Sequence, residues 1–305
     1  MTESAIVLGA NQYGKAEVRV VKLTRDTARH EIDDLNVTSQ LRGDFTAAHL
    51  AGDNDHVVPT DTQKNTIFAF ARDGIGAPET FLLRLADHFT GTFEWVRGGR
   101  WEAERFEWER IRTGSAEHDH GFVRSGREVR TALVIADGAD RHVLGGLRGL
   151  TVLKSTDSGF AGYPKDRYTT LPETTDRILA TEVTARWRYG TDGGAARAEV
   201  DYDAVYASVR GQLLEAFADG YSPGLQATLF EMGRRVLEGQ AEIAEIRFSM
   251  PNKHHFLVDL SPFGLDNPNE VFFAADRPYG LIEAAVVREG VDSPAVAWDA
   301  VGAFC

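Results

Sequence analysis

Apolar positions change period several times along this chain, and the changes mark out strands and helices. Ala16 to Leu23 is β-branched and partly alternating, and Glu31 to Leu41 reads the same way, so both predict strands. A loop, Ala51 to Pro59, leads to a predicted helix with its cap at Thr60 or Asp61. A second helix is predicted from Pro78, a favourable first-turn residue, through Phe81, Leu82, Leu85 and Phe89. Aromatic-rich strands follow over Phe93 to Ile111 and Glu128 to Ile135. Asp137-Gly138-Ala139-Asp140 reads as a junction between halves. That gives two expected units, residues 1–139 and 140–305.

The second half repeats the order. Val143 to Lys154 and Ile178 to Tyr189 predict strands, and Thr191 to Ala196 a glycine-rich hairpin tip. One helix is predicted from Asp203, with Tyr206, Val209, Leu213 and Phe217 on one face and Gly220 as its stop. The next takes Ser222 as cap and Pro223 as first residue, with Leu225, Leu229, Met232 and Val236 spaced for an apolar face. Ile243 to Met250, His255 to Leu260 and Val271 to Val287 predict the closing strands. Strands, two helices, strands, twice over, imply an α+β fold with antiparallel sheets and paired helices on one face.

Composition narrows the function. Hydrophobic residues make up 43% of 305, ordinary for a folded domain. No stretch of about 18 residues lacks charge, so no transmembrane helix and no membrane partner are expected. A net charge of −13 argues against nucleic acid as partner. An anionic substrate would need positive groups placed locally. The single cysteine, Cys305, allows neither an internal disulfide nor a cysteine zinc cluster. His118-Asp119-His120 looks like a ligand pair, but two histidines without further partners read as a solvated loop, and no metal is expected. No phosphate loop or dinucleotide fingerprint is present.

Ser249-Met250-Pro251-Asn252-Lys253-His254-His255-Phe256 is the densest cluster of candidate chemistry. It sets an amide, an ammonium and an imidazole side by side before a strand-like run. It resembles the P-N-K-H motif of urate oxidase (uricase). Further matches follow in that family's order: Tyr13-Gly14-Lys15, Thr60 to Asn65, Leu150 to Thr156, Tyr168-Thr169-Thr170 with Asp176 to Leu179, Leu225 to Thr228, and Asp276 to Ile282. The resemblance spans nearly the whole chain. It implies two tandem tunnelling-fold (T-fold) units, with a β-barrel completed by oligomerisation into a homotetramer. It also implies cofactor-independent oxidation of urate by O₂.

The same resemblance assigns roles that the residues alone leave open. On position alone, Lys15 is a solvated turn lysine; the resemblance pairs it with Thr60 in a proton relay that His254 joins. Thr60-Asp61 also reads as a helix-capping pair. The family places Thr60 beside the oxygen site and supplies it from a neighbouring subunit. Arg177 reads as half of a surface ion pair with Asp176, and Gln226 as a solvated first-turn side chain. The resemblance makes them two substrate clamps, with the Leu225 N–H as a further contact. Phe160 reads as a loop anchor, or as the ring that stacks on the purine. Asn252 would hold water or O₂ above the substrate, and Ile282 would line the far wall. No role falls to His255.

Two rivals follow. A non-redox T-fold enzyme acting on a pterin or purine would, in its zinc-dependent form, need a cysteine and histidine set absent here. A non-catalytic purine-binding oligomer would keep Arg177, Gln226 and Phe160 without needing Lys15, Thr60 and His254. The ending Gly302-Ala303-Phe304-Cys305 is unlike the Ser-Lys-Leu type of eukaryotic relatives, so a bacterial cytoplasmic protein is expected.

Overall fold

The computed structural model describes residues 6–126, 128–192, 195–196, 199–275, 277–299, 301–302 and 304. Cys305, Asp276 and the tip residues 193–194 lie outside them. The chain forms two compact units. One comprises Met1–Gly145, Arg188–Tyr202 and Ala295–Ala297; the other comprises Gly146–Trp187, Asp203–Pro294 and Trp298–Cys305.

In the first unit, β1 (Tyr13–Thr24) pairs antiparallel with β2 (Glu31–Gly43). A short α1 (Thr46–Ala51), which the sequence reading left out, precedes α2 (Thr60–Arg72) and α3 (Pro78–Thr92). On β2 every second residue, Leu35, Val37, Ser39 and Leu41, is buried, so one face of this ribbon turns to the helices. Phe81, Leu82, Leu85 and Phe89 of α3 are fully buried, as their spacing predicts. Each contributes about 1.5–3 kcal/mol as an upper bound.

The expected strand over 93–111 is broken. β3 (Val96–Arg105) stays in the sheet beside β2, while β4 (Trp108–Thr113) forms a separate hairpin with β5 (Ala116–Arg124). His118 and His120 therefore stand on a strand, not in a loop. The backbone pairing of β4 with β5 and the bonds from Arg110 to the His118 and Asp119 carbonyls hold them there. Among the described residues, no group of three potential ligands is arranged to hold a metal ion. β6 (Val129–Asp137) pairs with β3, and a two-residue turn at Gly138-Ala139 leads into β7 (Asp140–Lys154). Gly138 has φ 57°, which suits a residue without a side chain. The sheet of this unit runs β1-β2-β3-β6, then the start of β7.

The second unit begins within β7 and adds β8 (Leu179–Tyr189). β9 (Thr191–Asp192) and β10 (Ala195–Ala196) form a small ribbon. Helices α4 (Tyr202–Ala218) and α5 (Leu225–Gly239) come next, and α5 buries Leu225, Leu229, Met232 and Val236 against β11 (Ile243–Asn252) and β14 (Gly280–Val287). The expected strands His255–Leu260 and Val271–Val287 are shorter than their composition suggested. The first keeps only β12 (His255–Leu257); the second splits into β13 (Phe272–Ala274), which pairs with β12 outside the main sheet, and β14, which pairs with β11. Asp259 caps the Ser261 N–H at 2.9 Å and turns the chain away, and Pro278, which has no N–H to give, falls between β13 and β14. The architecture is α+β, built on antiparallel strand pairs with paired helices. No helix among the described residues is long and apolar enough to cross a membrane.

Candidate active site

Lys15, Thr60 and Asp61 come together in the first unit. Gly14 must be glycine: a Cβ there would lie 1.8 Å from the Ser39 carbonyl oxygen. This close approach sets Lys15 opposite Ser39, whose hydroxyl donates to Gln63 Oε1 of α2 at 2.9 Å. One residue before Gly14, the Tyr13 hydroxyl donates to the Val58 carbonyl at 3.1 Å, fixing the chain two residues before Thr60. Thr60 is the first residue of α2, half-buried, and the Asp61 side chain is exposed. Neither is the cap. Pro59 occupies that position, its carbonyl accepts the first helical N–H from Gln63, and no side chain closes the turn. The Asp61 carboxylate instead binds Lys64 and Asn65 along its own helix; those bonds, with a smaller contribution from the nearby Lys15 charge, lower its pKa. The Thr60 hydroxyl is therefore not committed to a cap bond.

In the second unit three segments are laced together by backbone bonds. Phe160 and Thr174 exchange N–H···O bonds of 2.7 and 3.0 Å, and the Arg177 N–H donates to Ser158 at 2.8 Å. Ser222 donates to Asp157 at 2.8 Å and accepts from Gly159 at 2.9 Å. With its backbone held there and its hydroxyl 2.6 Å from that of Thr228, Ser222 is not the cap of α5. The cap is Gly224, and the helix starts two residues later than expected, at Leu225. Leu225 and Gln226 are consequently the first two helical residues, and first-turn N–H groups have no acceptor within a helix. Leu225 is buried and Gln226 exposed. A Cβ on Gly224 would sit 3.4 Å from Gln226 Oε1 and 3.8 Å from Phe160 Cδ2, so amide and ring converge on one spot.

Arg177 completes this cluster. Its guanidinium carbon lies 5.2 Å from the centre of the Phe160 ring. Asp176 does not take it as an ion-pair partner but accepts the Thr156 hydroxyl at 2.8 Å. Burial lowers the Arg177 pKa from its ordinary value, and its Nε is buried with no hydrogen-bond partner. A half-buried cation with an unanswered donor is costly unless an anion or acceptor arrives.

Asn252 is the last residue of β11, paired with Gly280 of β14; two residues back, Met250 pairs with Ile282. Asn252 and Ile282 thus occupy positions of the same face, with Ile282 half-buried. The turn after Asn252 is tied to β8 by three bonds: Thr181 Oγ1 to the Pro251 carbonyl, the Lys253 N–H to the Ala180 carbonyl, and Lys253 Nζ to Glu182 Oε2, at 2.9, 2.8 and 2.9 Å. His254 stacks on Phe256 at 5.8 Å and passes its carbonyl to the Ala275 N–H. Burial, then the positive charges of Arg177 and His255, push its pKa below 6.5. His254 is therefore near Arg177 and biased toward the neutral form that can accept a proton.

The structure brings Lys15, Thr60 and Asp61 together in one unit, and Phe160, Arg177, Gln226 and His254 in the other, with Leu225, Asn252 and Ile282 on the elements that carry them. Two supporting residues escaped the sequence reading. Tyr13 lay inside a quoted motif, so its part in bracing the loop before Thr60 had a local signal. Glu182 had none, since its link to Lys253 spans 71 residues.

Fold and residues define a class: an α+β protein whose second unit gathers an aromatic ring, a half-buried guanidinium and a first-turn amide. The uricase family model matches residues 11–135 and 143–283, and the chain belongs to the uricase family. It is 64% identical to a uricase of Arthrobacter globiformis over 304 residues, covering 100% of this chain and 97% of the relative. It is 37% identical to a uricase of Cyberlindnera jadinii, covering 92% and 97%. The crystal structure of the Arthrobacter globiformis uricase superimposes with a TM-score of 0.90 at 65% identity, covering 95% of this chain and 98% of that one.

Proposed function

We propose that this protein oxidises urate with O₂ and water to 5-hydroxyisourate and H₂O₂. The observation that carries the reading is the partnerless, buried Nε of Arg177 beside Phe160 and Gln226. Arginine's planar fork suits the carbonyl and ring-nitrogen edge of the urate anion. The Gln226 amide offers a donor and an acceptor to the opposite edge, and the Phe160 ring packs against the heterocycle.

Lys15, Thr60 and His254 act as the proton relay. Removing a second proton makes urate an electron-rich dianion, which passes two electrons in turn to O₂, while the two protons taken from urate go on to the reduced oxygen to give H₂O₂. The protein then supplies position and proton management without a cofactor. Water adds to the oxidised ring from the side of Asn252 and Thr60, while Ile282 walls the far side. The active assembly is a homotetramer in the cytoplasm, with Thr60 and Asp61 given by one subunit to the clamp of another.

Metal-stripped protein mixed with urate should bleach the substrate's ultraviolet absorbance. Unchanged absorbance from protein shown to be folded would sink the reading and favour a purine binder.

A further inference from the structure

We infer that Tyr221 is a positioning residue for the substrate clamp: its phenol holds the Phe160 and Arg177 segments in register with the start of α5. The inference rests on the clamp reading of Arg177 and goes beyond it by naming what sets the clamp's geometry.

Three strips of backbone carry the clamp: 157–160, 174–177 and 221–226. Tyr221 begins the third strip and reaches across the other two. Its hydroxyl donates to the Thr175 carbonyl at 3.2 Å, two residues before Arg177. The same oxygen fills the space over Gly159, next to Phe160, where a Cβ would fall only 2.0 Å away. Gly159 is therefore a docking notch for the Tyr221 hydroxyl. Tyr221 is 55% exposed, so it is not a core residue whose loss would unfold the unit. Backbone bonds already lace neighbouring strips together, but none of them joins the 221–226 strip directly to 174–177. The phenol adds that direct brace, from Tyr221 to the Thr175 carbonyl. With the brace in place, the Phe160 ring, the Arg177 fork and the Gln226 amide keep one spacing before substrate arrives, and less ordering is left to binding. The phenol also lies close enough to Arg177 to offset part of the pKa lowering caused by burial.

Tyr221→Phe is the test, because it keeps the ring and removes only the hydroxyl. The expected result is a rise in KM for urate and a loss of affinity for a xanthine inhibitor of about 2–10-fold, the range of one neutral hydrogen bond. kcat should change less than KM, and the melting temperature should stay near wild type. A merely structural role would move the melting temperature without this split. Arg177→Ala is measured alongside. If Arg177→Ala weakens inhibitor binding and Tyr221→Phe does not, the positioning role is wrong and the clamp stands. A fall in kcat at unchanged KM would also overturn it. If Arg177→Ala leaves binding intact, the clamp reading fails and the role of Tyr221 fails with it.

Discussion

The Arg177 guanidinium rests beside the Phe160 ring, 5.2 Å from its centre, with no ion-pair partner drawn from Asp176 next to it. A cation without a carboxylate partner among the described residues, in a protein of net charge −13, is a local exception to the surrounding field. Arg177→Ala should weaken a xanthine inhibitor by about 1.5–3 kcal/mol, the worth of a hydrogen bond to a charged group. Arg177→Lys should recover only part of this, since an ammonium lacks the planar fork. Titration calorimetry reads both; an Arg177→Ala affinity equal to wild type would remove Arg177 from the site.

Lys15 and Thr60 are expected to act as one unit. Lys15→Met should lower kcat by about 10²–10⁴-fold while changing urate affinity far less. The Thr60→Ala and Lys15→Met losses should be far from additive. A double variant whose loss equals the product of the single losses would refute a coupled relay.

If sites are shared between subunits, two inactive proteins can complement each other. Thr60→Ala mixed with Arg177→Ala, under conditions that exchange subunits, should yield some sites with both wild-type residues. Activity should return to a fraction of wild type. Verified exchange with no recovered activity would place both residues in one chain's site.

His254 should titrate below 6.5, because burial, Arg177 and His255 all disfavour its charged form. The sign for stability follows. Between the folded and unfolded midpoints the unfolded chain holds more protons, so His254 costs stability as pH falls from about 6.5 and costs nothing above it. Imidazole NMR should show the low midpoint. Arg177→Gln should raise it only part of the way, since burial is the largest cause and remains. A wild-type midpoint at or above 6.5 would contradict the arrangement.

Much of this was legible in the chain. The faces of α3 and α5 could be read from residues three and four apart, because burying one stripe of a helix is a local demand. The candidate site residues could be singled out because the motifs that carry them are short and contiguous. What was not legible depends on partners far away in sequence. The start of α5 moved from Pro223 to Leu225 because Ser222 is held by Asp157 and Gly159. The helix at Thr60 starts uncapped because Tyr13 and Pro59 fix its entry instead. The run from Val271 to Val287 gave no sign that Phe272–Ala274 would pair with β12 and Gly280–Val287 with β11.

Between Lys15 and Val18 the register of β1 slips by one residue, and Glu17 takes φ 56°. On the far side of the slip, Val18 and Val20 face the core opposite Val37 and Leu35. In an unbroken strand an odd-numbered residue such as Lys15 would share the outward face of Arg19 and Val21. The extra residue reverses that parity, so Lys15 stands opposite buried Ser39 on the side where α2 lies. The strand therefore works like a sentence with one letter inserted: everything before the insertion is read in the other frame. Removing Ala16 would leave every chemical group of the proposed relay in the protein, yet aim its lysine out of the opposite face. Which face Lys15 takes is thus specified by a count of residues as much as by their identities.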